Sequence, residues 1–191
     1  PSVKSKFCTR ARSFARTSRL SPSWRRQLAS TLNRSLADLG ALLHLVDPTL
    51  PIGGFNHSNG LETFVQQGVV STKPSLEEYV QTQLLQNWVY NDGAYLSLAF
   101  EAMATNDFER LCELDHSLSA TKIARESREG SFKLGVRLLK IFIRYEQHPM
   151  LSQFQQAIQN KTVQGYFPIV FAMVAQAMGL SKADTLYAFY Y

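Results

Sequence analysis

Apolar residues return every three or four positions along most of this 191-residue chain, the spacing that gives a helix one buried face. Leu36, Leu39, Leu42, Leu43 and Val46 predict a first helix. Asp47-Pro48 closes it, because proline disfavours helical geometry in the residue before it. Thr49-Leu-Pro-Ile-Gly-Gly-Phe55 is too rich in Pro and Gly to be regular. A second helix is expected to start near Asn56–Asn59 and run to Gln67, with Gly68 as its C-terminal cap. Ser75-Leu-Glu-Glu78, just after Pro74, reads as a capping box that opens a long helix. That helix carries apolar residues at 76, 79, 80, 84, 85, 88 and 89, then at 95, 96, 98, 99 and 100, and Gly93 offers a bend.

Further helices are predicted over Asp107–Ser117, Thr121–Tyr145, 150–159 and Phe167–Met178, with Ser181-Lys-Ala-Asp184 capping a last one. Ile123, Phe132, Leu134, Leu138, Leu139 and Phe142 are the expected core positions of the Thr121 helix, which His148-Pro149 prevents from continuing. No alternating pattern of useful length is bounded by turn signals. The expected fold is all-α, a compact domain of about seven to eight helices.

Charge divides the chain in two. Nine of the 20 Lys and Arg lie in residues 1–36, which hold no acid; the remaining 11 face 15 Asp and Glu, so the net charge of +5 belongs to the leader and residues 37–191 carry −4. The leader's Arg- and Ser-rich composition fits a non-native extension, a transit peptide or a basic arm attracted to polyanions. The domain proper is expected over 37–191. It stops at Tyr190-Tyr191 inside a helix-like stretch, so its C-terminal part is expected to be incomplete.

At 45% hydrophobic and 18% charged, the chain can bury a core. No apolar run reaches the roughly 18–20 residues of a membrane span. Cys8 and Cys112 provide neither a disulfide framework nor a CxxC zinc pair.

Catalytic signatures are absent from the sequence: no phosphate-binding loop, no GxGxxG, no HExxH and no GxSxG. The histidines, His44, His57, His116 and His148, are scattered. Cys112 and His116 share a helix face and, with His57, are weak candidates for a soft metal. Asp47 and His57 have the chemistry of base and orienter, which with His116 would suit a metal-dependent hydrolase, yet no nucleophile accompanies them. The conformationally costly residues gather instead in the loop Asp47–Glu62, which contains two prolines and three glycines. A loop so built has a fixed shape, and fixed loops brace a fold or present a surface.

Asp47…Pro51-Ile-Gly53-Gly54-Phe55-x-His57-Ser58-x-Gly60-Leu61-Glu62, followed by Phe64-Val65-Gln66, resembles the N-terminal signature of the urease accessory protein UreF family. Arg125-Glu-Ser-Arg128-x-x-Ser131-x-x-Leu-Gly135-x-Arg-Leu138 resembles that family's central helix. Gly165-Tyr-Phe-Pro168-Ile-Val-Phe-Ala172 resembles a later segment, with Tyr166 where the family usually has His and Ala172 where it often has Gly.

The resemblance covers about residues 36–191. It implies an all-α, dimer-forming, non-enzymatic and cytoplasmic protein. Such a protein binds a UreD/UreH-like scaffold and a UreG-like GTPase, and helps deliver nickel to apo-urease. No stably bound cofactor is implied, only nickel in transit, and neither nucleic acid nor membrane as a partner. Interface or loop-shaping roles fall on Asp47, Pro51, Gly53, Gly54, Phe55, His57, Ser58, Gly60, Leu61 and Glu62. A GTPase-facing surface falls on Arg125, Arg128, Ser131, Lys133 and Gly135, where arginine suits partner carboxylates. The competing reading is a helical protein that binds nucleic acid or anionic membrane through residues 1–36.

Overall fold

The computed structural model describes residues 36–54 and 60–191, and every regular element among them is helical. In chain order these are α1 (Leu36–Leu45), α2 (Leu61–Gln66), α3 (Lys73–Thr82), a π-helical stretch (Gln83–Gly93), α4 (Ala94–Ala104), α5 (Phe108–Thr121), α6 (Arg125–Phe142), α7 (Pro149–Gln159), α8 (Phe167–Ala177) and α9 (Lys182–Tyr190). Because α3, the π-helical stretch and α4 run end to end, the described residues form eight continuous helical rods. The all-α expectation holds. The leader lies outside the described residues, as do Phe55, His57 and Ser58. Residues 40–191 form one compact unit.

Local chemistry sets most boundaries as expected. Gly68 (φ +74°) and Gly179 (φ +76°) take left-handed geometry after α2 and α8, which glycine adopts without Cβ strain. Ser181 accepts from the Asp184 N–H and opens α9. His148, expected only as a stop, is the N-cap of α7: its ring accepts from the Met150 N–H, and Pro149 follows where a missing N–H costs nothing.

Three helix starts differ from expectation. The capping box of α3 is Thr72 with Ser75, one turn earlier than Ser75 with Glu78: the Ser75 N–H donates to Thr72 Oγ1 and the Thr72 N–H to Ser75 Oγ. Proline is tolerated in a helical first turn, so Pro74 does not delay the start. The helix after the loop begins at Leu61, behind Gly60 at φ +92°, just past the expected start near Asn56–Asn59. The predicted Thr121–Tyr145 helix opens at Arg125. The chain turns at Lys122–Ala124, which leaves Ile123 88% exposed instead of in the core.

The core is centred on α8, whose run from Pro168 to Ala175 is wholly buried. It packs against α4 through Leu96, Ala99 and Met103 and against α6 through Leu138, Leu139 and Phe142, with Leu111, Leu114, Leu118, Leu151 and Phe154 closing the cluster. A helix buried all round needs apolar residues all round, which is why this segment lacks periodicity.

The apolar positions of α3 and the π-helical stretch behave differently. Leu76, Val80, Leu84, Leu85, Trp88 and Val89 stay exposed, together with Phe64 and Val65 of α2; Gly93 is the one buried residue of the three elements. Where this rod joins the core it is held tightly. Lys122 Nζ lies 2.7 Å from Asp92 Oδ1 with both side chains largely buried, and Tyr190 Oη donates to Trp88 O (3.3 Å). Burial pushes the Asp92 carboxyl above its ordinary range, with the Lys122 cation opposing the shift.

Candidate functional site

All three sequence blocks meet along α6. Ile52, in the Pro- and Gly-rich loop, accepts a hydrogen bond at its carbonyl from Arg137 Nη1 (3.0 Å), 85 residues along the chain in α6. Gly53 has φ +78°, and a Cβ there would strike the Arg137 guanidinium. The dihedral favours glycine at 53, and any side chain there would also displace the Arg137 guanidinium from its place against the loop. Gly54 is not so constrained: its Cβ would sit 3.7 Å from Ile52 and Leu134, an ordinary contact. At the loop's start the Thr49 N–H (2.8 Å) and hydroxyl (2.7 Å) both donate to Asp47 Oδ1, and the hydroxyl bond chiefly lowers the Asp47 carboxyl below its usual range. Pro51 and Glu62 are exposed and Leu61 is half-buried.

Between this loop and α6 lies an open cleft of about 380 Å³, lined by Gly53, Glu126, Glu129, Gly130, Lys133, Leu134 and Arg137. Its charges are largely paired along the helix. Glu129 accepts from Arg125 Nε (2.7 Å) one turn before it and from Lys133 Nζ (3.1 Å) one turn after, and both cations hold its carboxyl below the usual range. These side chains are well exposed, so the network contributes little to stability.

The other members of the Arg125–Gly135 set are turned inward. Arg128 Nη1 donates to the carbonyls of Lys122 (2.8 Å) and Ile123 (2.7 Å), tying down the turn between α5 and α6. Ser131 Oγ accepts from the Phe167 N–H (3.3 Å). At Gly135 a Cβ would collide with the Gly165 carbonyl oxygen and come within 2.9 Å of Phe167 N. The spacing Arg-x-x-Ser-x-x-x-Gly therefore seats the chain entering α8, while Arg125, Lys133 and Arg137 remain at the surface.

That seat has a member with no signal in the sequence. Asp115, fully buried in α5, accepts from the N–H groups of Gln164 (2.6 Å), Gly165 (3.0 Å) and Tyr166 (3.0 Å). Burial raises its carboxyl above the ordinary range, outweighing the three N–H donors and the nearby His116. Tyr166 donates its hydroxyl to Ser119 Oγ (3.0 Å) and sets its ring edge-on to Phe132. Position 166 thus has a hydrogen-bonding role that links α5 to the turn before α8.

The weak metal candidates gain nothing from the geometry. His116 Nε2 lies 2.6 Å from Thr162 O, and burial first, then Asp115 and Glu109, raises the Cys112 thiol. Among the described residues no group of three His, Cys, Asp or Glu is placed to hold an ion. The base-and-orienter pairing of Asp47 with His57 lies partly outside the described residues.

Comparison with known proteins points one way. A family model described as UreF matches residues 70–191. The chain is 84% identical over 164 residues to the urease accessory protein UreF of Haemophilus influenzae, covering 86% of this chain and 70% of that one. It is 80% identical over 156 residues to the UreF of Actinobacillus pleuropneumoniae serotype 5b, with 82% and 69% covered. A more distant UreF, from a Bacillus species, is 34% identical over 158 residues, with 83% and 68% covered.

Proposed function

The chain belongs to the urease accessory protein UreF family, whose members serve urease maturation, and on that premise we propose that it is a non-catalytic bridge in nickel delivery. It joins a UreD/UreH-like scaffold to a UreG-like GTPase, acts as a homodimer in the cytoplasm, and helps pass nickel, the cargo of the assembly, to apo-urease. The observation that supports this reading best is the meeting of loop 51–54 with the exposed side of α6: segments about 85 residues apart build one shaped, charged cleft at the surface.

A bridge needs more than one contact surface, and this chain presents two of different chemistry. The cleft is polar. The α2, α3 and π-helical segments carry a run of exposed leucines, valines and aromatics, and contiguous apolar patches on a folded protein mark contact surfaces. The nucleotide chemistry belongs to the GTPase partner, so a bridge requires no phosphate loop of its own. The test is reconstitution of apo-urease with nickel, bicarbonate, GTP, scaffold and GTPase. Nickel incorporated per urease active site should rise when this chain is added. Equal incorporation with and without it contradicts the proposal.

A further inference from the structure

Resting on the reading that this chain works by binding protein partners, we infer that the cleft between Gly53 and α6 receives an aspartate or glutamate side chain from a partner, with the Arg137 guanidinium as its counterion. The inference follows from where each charge of the cleft is already directed. Arg125 and Lys133 converge on Glu129, and the second acid, Glu126, adds its field to Arg125. Arg128 is turned to the Lys122 and Ile123 carbonyls. Arg137 lines the cleft with no carboxylate partner among the described residues, its Nη1 engaged by a neutral carbonyl.

That single bond matters. It holds the side chain in place before any partner arrives, so less rotamer freedom is lost on binding. It also occupies one nitrogen of a planar fork whose remaining donors match the two oxygens of a carboxylate. Gly53 is what lets the guanidinium lie against the loop. A cleft of about 380 Å³ accommodates an acidic side chain, with Gly130 and Leu134 among its walls.

Gly130 supplies the test. It is exposed enough that a Cβ meets nothing within 4 Å, so a side chain there enters the cleft without disturbing the fold. Gly130→Glu, Gly130→Gln and Gly130→Lys, with the wild-type chain, are titrated against purified UreD-like and UreG-like partners at low and physiological salt. For the partner that uses the cleft, Glu should weaken binding by about tenfold more than its neutral isostere Gln, Lys should bind at least as well as Gln, and wild-type affinity should fall with salt.

Equal effects of Glu and Gln, or no effect of any variant, overturn the inference while leaving the bridging reading intact. Lys as the weakest binder overturns it in favour of a basic partner surface. Arg137→Met checks the counterion independently. It should lose affinity together with the salt dependence, whereas a residue that merely pins the loop would lower the melting temperature and leave the salt slope unchanged. A wild-type chain that binds neither partner defeats the bridging reading itself.

Discussion

Two glycines five residues apart in α6 separate what a motif says from what a residue does. At Gly135 a methyl group would meet backbone atoms of Gly165, Tyr166 and Phe167, which cannot swing aside as a side chain can. Gly135→Ala should therefore destabilise the chain by roughly 1–3 kcal/mol, as overpacking does. At Gly130, with open space around the Cβ and ordinary helical dihedrals, Ala should stabilise by about 0.5–1 kcal/mol by restricting the unfolded chain. Urea denaturation of the two variants checks both signs; a neutral Gly135→Ala would refute the close approach of α6 to Gly165. The sequence marks Gly135, Ser131 and Arg128 by spacing, but their meaning depends on partners it does not place beside them: Phe167 lies 36 residues from Ser131. Asp115 was illegible for the same reason. An acid in an amphipathic helix reads as surface until the amides that bury it, about 50 residues on, are known.

Among the helices, periodicity located nearly every element, because burying one face is a demand each helix meets within its own sequence. It did not reveal which faces are covered. Leu76, Val80, Leu84 and Leu85 follow the same spacing as Leu138, Leu139 and Phe142, yet the first set faces outward and the second lies in the core. The π-helical register of Gln83–Gly93 was likewise unreadable, since it arises where the rod is fastened by Asp92, Gly93 and Trp88 to α5 and α9. A rod with one buried residue in 21 should open locally at little cost. Hydrogen exchange is expected to be fastest through α3 and the π-helical stretch and slowest in α8. Protection of Lys73–Gly93 equal to that of α8 in the isolated chain would contradict this order.

At the scale of the whole molecule, the proposed bridging role draws its support from membership of the UreF family and from two exposed surfaces. Within the signature block, the described loop at 47–54 was legible as irregular from Pro48, Pro51, Gly53 and Gly54. That it closes a cleft with Arg137 required the folded chain, because 85 residues intervene. The most direct measurement of that proposal is the mass, by light scattering coupled to size exclusion, of the chain mixed with UreD-like and UreG-like proteins. A single peak containing all three proteins, lost when this chain is omitted, is the expected result. If scaffold and GTPase associate as well without this chain, or the chain elutes alone in the presence of both, it is not the bridge.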